Sequence, residues 1–499
     1  MERNNWRLIT EGWAVLSYQS KHTCICVRKL HHSINKIHSL SSFISHPMGK
    51  KMLNNDNNNH QDSEMVIQIS KSSPSLKPND EQDPLILPSS NSKLSHHQHS
   101  PPRQPRLASL DVFRGLTVAL MILVDDAGGI LPAINHSPWN GLTLADFVMP
   151  LFLFIVGVSL GLTYKNLSFS TVATRKAVLR ALNLFVVGLF LQGGFFHGIN
   201  NLVYGVDIAK IRWMGILQRI AIAYLVAALC EIWLKGNDRV SSVLSLWKKY
   251  RFQWATSMVL TAIYLSLLYG LYVPDWQYEN PVETSSSAHR IISVKCGVRG
   301  DTGPACNVVG MVDRKIFGVQ HLYKKPIYSR TKQCSINSPD YGPLPLDAPS
   351  WCQAPFDPEG LLSSVMAVVT CLIGLHYGHI IVHFKDHRDR MRNFVILSSS
   401  LAVLGLALDL FGMHINKPLY TFSYVCVTAG AAGILFAAIY FMVDVSGYRR
   451  ITLVLEWMGL HALLIYILIA CNLLPVILQG FYWKRPENNI LRLIGIGRK

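Results

Sequence analysis

Charge is scarce in this chain. Only 15% of its 499 residues are Asp, Glu, Lys or Arg, while 50% are hydrophobic. A soluble domain carries about 25% charged residues, so an ordinary soluble enzyme is excluded. The same hydrophobicity excludes a mostly disordered chain. No P-loop, dinucleotide fingerprint or zinc-spaced Cys/His cluster is present, which removes the usual footing for nucleotide or structural-zinc chemistry. The first 20 residues lack a continuous apolar run. A cleavable signal peptide is therefore not expected, and insertion would begin at the first internal span.

The charge that exists is mostly positive: 47 basic against 30 acidic residues, net +17. Such a balance often signals nucleic acid, but here location decides. Residues 1–106 hold 13 Lys/Arg and 8 Asp/Glu, and most of the remaining excess lies between hydrophobic runs. That is the pattern of a polytopic membrane protein surrounded by lipid, with no nucleic-acid partner. Residues 1–106 read as a disordered cytosolic tail, with the run Asn54 to Asn59, a His-rich stretch and eight prolines. Within it, Glu81 stands four positions before Leu85-Ile86, a pattern similar to dileucine sorting signals. It points to a lysosomal or vacuolar membrane, with the plasma membrane as the alternative.

Residues 107–499 form the membrane domain. Apolar stretches at 115–134, 143–164, 181–197, 213–234, 254–273, 360–382, 394–415, 420–443 and 453–478 predict an all-α fold of about nine transmembrane helices, since a bilayer core needs about 20 apolar residues per helix. Basic clusters alternate along the connections: Arg103, Arg106 and Arg114; Lys165, Arg175, Lys176 and Arg180; Lys235 to Arg251; Lys385 to Arg392; Arg449 and Arg450. The positive-inside rule then puts the N-terminus in the cytosol, and the loops after spans one, three, five and seven on the luminal side. The luminal loop 274–359 carries 10 of the 24 prolines and Cys296, Cys306, Cys334 and Cys352. Disulfides persist in such a compartment, and three pairings are open. Cys230, Cys371, Cys426 and Cys471 read as small apolar fillers.

Candidate chemistry concentrates between Leu110 and Tyr164. Asp125 and Asp126 lie in an apolar run, where carboxylates are costly and mark a functional site by default. Arg219, in span four, is their candidate partner. His136 follows on the luminal side, where Asp125 or Asp126 would orient its ring if Gly128 and Gly129 let the chain fold back. Trp139, Asn140 and Asp146 complete the stretch as candidate substrate contacts. His376, His379 and His383 share a helical face and read as interfacial histidines rather than metal ligands, because no defined ligand set accompanies them.

Several ordered motifs resemble the heparan-alpha-glucosaminide N-acetyltransferase family. They are Ser109 to Gly115, His136 to Asp146, Gly215 to Arg219, Asn307 to Asp313, His321 to Tyr323 and Pro349 to Gly360. The resemblance runs from about Leu107 to Asn489, and the Cys/Pro loop looks most like the plant members. It implies a transmembrane acetyltransferase that takes acetyl from cytosolic acetyl-CoA to an amino-sugar amine in the lumen. The family's active-site histidine falls on His136, with Asp125 and Asp126 beside it. Asp125 stands where family members carry asparagine. Arg114, Arg175, Lys176 and Arg180 would meet the CoA phosphates at the cytosolic mouth. The base and acetyl-carrier roles of His136 both stay open, and self-association is compatible with either. Relatives have a further span after Phe481-Tyr482-Trp483, whereas this chain stops at Lys499, so a shortened form is expected. A transporter is the competing class, because intramembrane charges and glycine-broken spans suit it too. A non-enzymatic homologue is the other.

Overall fold

A computed structural model describes residues 107–128, 134–165, 169–192, 211–236, 238–280 and 290–470. The N-terminal tail with its sorting-like motif, and the segment beyond 470, lie outside the described residues.

The fold is mostly helical. Long helices run Ala108–Ala127 (α1), Leu144–Thr163 (α2), Ser170–Gln192 (α3) and Ile216–Trp233 (α4). A short Val243–Lys249 (α5) precedes Arg251–Gly270 (α6). After the extramembrane segment come Leu361–His383 (α8), His387–Leu410 (α9) and Phe422–Tyr440 (α10), the last continued by a π-helical turn, Phe441–Val445. The pair Arg449–Leu460 (α11) and Ala462–Ala470 (α12) follows.

Among the described residues, six helices are long and apolar enough to cross a membrane, or seven if the α11–α12 pair, bent by 64°, is one span. Two other expected spans fall on α1 and α3, which carry more charge: Asp111, Arg114 and Asp125 in α1, and Arg175, Lys176 and Arg180 in α3. The last three were expected in a loop. They lie instead on a helix that starts 11 residues before the apolar run at 181, because helical hydrogen bonding continues through polar sequence where hydropathy falls.

Small residues set the central contact. Gly157 and Gly161 of α2 face Gly374 and Gly378 of α8. A Cβ at Gly157 would sit 2.0 Å from the Cys371 carbonyl oxygen, and one at Gly374 would sit 2.1 Å from that of Phe154. The backbones approach as closely as small-xxx-small pairs allow in membrane helices. α1 meets α11 by the same means at Gly115 and Gly459. Asp444 of the π turn accepts from the Ser109 amide at 3.3 Å, capping α1.

The 274–359 segment departs from the all-α expectation. Trp276–Asn280 (β1) pairs antiparallel with Arg290–Val294 (β2), and Val308–Phe317 (α7) and three 3-10 turns follow. Its disulfides are Cys296–Cys306 and Cys334–Cys352. The segment packs on the bundle through Trp139, whose Nε1 donates to the Thr302 carbonyl at 3.1 Å and whose ring meets Tyr328 and Phe356 edge-on.

Candidate active site

The site is built where four helices begin. Thr143 caps α2, and Asp146 occupies its first turn. One carboxylate oxygen of Asp146, Oδ2, accepts from the amides of Ser137 (3.2 Å) and Thr143 (3.1 Å) and from the Thr143 hydroxyl (2.9 Å). The other, Oδ1, lies 2.9 Å from His136 Nδ1. The Tyr424 hydroxyl of α10 donates to the Asp146 backbone carbonyl at 2.5 Å, holding the turn from behind. Asp146 is fully buried, while 34% of the His136 side chain stays exposed. A buried, over-determined carboxylate thus orients a ring with an open edge, which is the arrangement a general base needs.

Lys417, in the connection before α10, completes the group. Its Nζ lies 2.8 Å from His136 Nδ1 and 3.4 Å from Asp146 Oδ1. Burial and the Lys417 ammonium hold His136 below the ordinary histidine value, against the opposing pull of Asp146 and Glu359. Asn416 anchors the lysine's segment: its Nδ2 donates to Asn140 Oδ1 at 3.0 Å, and the two residues form an isolated antiparallel bridge.

A second charged group adjoins the first, ahead of α8. Arg212 donates from Nε and Nη2 to Asp357 at 2.7 and 2.5 Å, and also to Glu359. Despite burial, which opposes it, Arg212, Arg219 and Lys417 hold Glu359 below the ordinary glutamate value. Arg219, buried in the first turn of α4, donates to the Pro358 carbonyl at 2.8 Å and to Ser363 and Ser364. Its guanidinium lies over the Tyr420 ring at 5.1 Å. The structure therefore gives Arg219 contacts with the start of α8. The motifs at 321–323 support this group: Tyr323 lies under Arg212 at 4.9 Å, and His321 Nδ1 bonds the Ile211 carbonyl at 2.7 Å.

Asp125 is exposed near the end of α1. The side chain of Asp126 lies outside the described residues. Trp139 is a buried packing wedge, and Asn140 is held by Asn416.

The basic candidates lie at the opposite end of the bundle. Arg114 donates to Asp111 at 2.9 Å and to Ser159, toward the end of α2, at 3.1 Å. Arg180 lies over the Tyr224 ring at 5.3 Å and repels Arg114 electrostatically. Arg175 and Lys176 are exposed on α3. Lys235 reaches the carbonyls of Tyr164 and Lys165 there, each at 3.4 Å. At this end two of the three histidines of α8 are buried in the bundle rather than interfacial, while His383 is half-buried at the helix end. His376 and His379 are buried, and His379 Nε2 lies 2.7 Å from Glu231 Oε2. Among the described residues, no group of three metal-ligating side chains converges.

Sequence reasoning missed Lys417, Arg212, Asp357 and Glu359. A signal was present: Lys417 and Arg212 fall in connections that the positive-inside rule leaves poor in cations, so each is an exception that asks for a local reason.

A helical membrane bundle with a histidine–carboxylate–ammonium group at one end and a cationic opposite end is the class these features define. The model described as heparan-alpha-glucosaminide N-acetyltransferase, catalytic, matches residues 106–270. The chain is similar to heparan-alpha-glucosaminide N-acetyltransferase of Mus musculus, 28% identical over 394 residues, covering 72% of this chain and 53% of the mouse protein. It is also similar to the protein of that name in Homo sapiens, 26% identical over 415 residues, covering 77% and 55% respectively. The chain spans about half the length of these curated relatives.

Proposed function

We propose that the chain is a membrane-embedded N-acetyltransferase that moves acetyl from acetyl-CoA to an amino-sugar-like acceptor. Nine spans, a cytosolic N-terminus and a luminal 274–359 segment complete the reading. The observation that carries it is the 2.9 Å approach of Asp146 Oδ1 to His136 Nδ1 within the region that the family model matches.

In this reading His136 takes a proton from the attacking amine at Nε2 as nitrogen bonds to the thioester carbonyl carbon. It then returns that proton to the departing thiolate. Asp146 holds the ring and offsets the charge that develops on it. Glu359 and Asp357, fixed by Arg212, offer carboxylates to acceptor hydroxyls. Arg114 and Arg180, guanidiniums at the other end, fit the anionic phosphates of CoA. About 30 Å separates the two ends, from 20 residues of α2 at 1.5 Å each, so the acetyl group must cross the bundle. Once the thioester reaches the His136 end, His136 as transient acetyl carrier would let donor and acceptor bind in turn.

The test is transfer of labelled acetyl from acetyl-CoA to a panel of amino sugars by purified protein, with His136→Ala as control. Transfer that depends on His136 supports the proposal. Movement of a solute across vesicles without acetyl-CoA hydrolysis, exchange or transfer would make the chain a transporter instead.

A further inference from the structure

One ring nitrogen serves two neighbours of opposite charge. His136 Nδ1 has a single in-plane bonding direction, yet Asp146 Oδ1 stands 2.9 Å away and Lys417 Nζ 2.8 Å away. A carboxylate only accepts and an ammonium only donates. When the proton is on Nδ1 it bonds Asp146, Lys417 turns to the same carboxylate oxygen at 3.4 Å, and Nε2 presents a lone pair. When the proton is on Nε2, Lys417 donates to Nδ1. Both neutral forms of the ring are satisfied. A ring protonated at both nitrogens faces the ammonium at hydrogen-bond distance with nothing between them.

We propose, resting on the acetyltransferase reading, that Lys417 is a positioning residue for His136. By sharing Nδ1 with Asp146 it admits both neutral tautomers and opposes the imidazolium. Nε2 is then an acceptor toward the amine, and the imidazolium formed there discharges promptly onto the leaving thiolate.

The geometry makes this lysine unlike a surface charge. It is 89% buried by side-chain area, against a wholly buried carboxylate. Its backbone neighbour Asn416 is tied to the His136 loop, so the ammonium cannot drift far from the ring. The charged groups facing His136 are Lys417 from the connection before α10, Asp146 from α2 and Glu359 from the approach to α8. The two carboxylates favour a protonated ring, and among the charged groups Lys417 alone opposes them, acting with burial. Without the lysine the two carboxylates would pull the ring toward its protonated form, in which it cannot act as a base.

The experiment follows the ring directly, so that it does not depend on catalysis. Ethoxyformylation of His136 by diethyl pyrocarbonate, which modifies only the neutral imidazole, is measured against pH by mass spectrometry of the His136 peptide. Full-length wild type is compared with Lys417→Met, Lys417→Gln and Lys417→Arg, each first checked for an intact thermal transition. The expected result is a reactivity midpoint raised by about one pH unit or more in both neutral variants, with Lys417→Arg near wild type. In acetyl transfer, the acidic limb of kcat/KM should move by the same amount, and the acceptor KM should stay within about threefold. An unchanged or lowered midpoint in the folded neutral variants overturns the proposal. So does a rise in KM alone, which would make Lys417 a substrate contact. A shifted midpoint in a protein that transfers no acetyl to any acceptor would uphold the role of Lys417 and sink the acetyltransferase reading instead.

Discussion

Glu231 of α4 and His379 of α8 meet at 2.7 Å inside the bundle, at the end away from His136. The same carboxylate oxygen accepts from Gln253 Nε2 of α6 at 2.9 Å, and the Tyr250 ring stacks on His379 at 3.5 Å. Three helices are thereby joined through one buried acid. Breaking a buried charged pair by removing one partner costs about 3–5 kcal/mol, because the other is left uncompensated. Glu231→Ala should therefore lower the thermal midpoint in detergent sharply and reduce activity only in proportion to the folded fraction. A variant with normal stability and lost turnover would show that this end takes part in the reaction.

His136→Ala should cut acetyl transfer by about 10²–10⁴-fold with the melting transition retained, the range for loss of a general base. Asp146→Asn is the sharper probe. It keeps a side-chain oxygen for the amides of Ser137 and Thr143 but cannot hold the ring as a carboxylate does. Turnover should fall at least tenfold with little change in stability. Steady-state kinetics beside thermal melts separates the two effects, and wild-type kcat in the asparagine variant would refute the orienting role.

Asp313 gives the pH dependence. It lies in α7, where burial raises its carboxyl to about 7, outweighing the Leu361 amide that donates to Oδ1 at 2.9 Å. A carboxyl whose folded value is raised binds its proton more tightly folded than unfolded. The stability this group contributes should accordingly be fully present in acid and lost as pH rises from about 4 to 7. Asp313→Asn should flatten the decline of the melting midpoint over that window. An equally steep decline in the asparagine variant would place the titration elsewhere.

The extramembrane segment can be mapped chemically. Peptide mapping without reduction should find Cys296 linked to Cys306 and Cys334 to Cys352. Crossed pairs would contradict the fold of this segment. Reduction should cost about 2–4 kcal/mol of stability per bridge, seen as faster proteolysis within 274–359. A cysteine introduced in that segment should be labelled only after vesicles are opened. Labelling from the cytosolic face of intact vesicles would invert the proposed topology.

Much of the bundle was legible along the chain. Each expected apolar run overlaps a helix, because hydropathy and helix length are local properties. The His136 to Asp146 stretch stood out along the chain, but the acid expected to orient the ring was Asp125 or Asp126. The structure puts Asp146 there instead, ten residues on, where the start of α2 turns it back toward the loop. Lys417 is 281 residues from His136, Glu359 is 147 from Arg212, and His379 is 148 from Glu231. No periodicity links such positions. Hydropathy decides that a helix forms and crosses, but which charged side chain meets which depends on how the helices pack, as at the glycine contacts between α2 and α8. The sequence by itself therefore determined a helical membrane protein with a candidate histidine in the loop ahead of α2. Only the tertiary structure decided that an ammonium shares that histidine's nitrogen, because burying a charge requires a partner and packing alone chooses it.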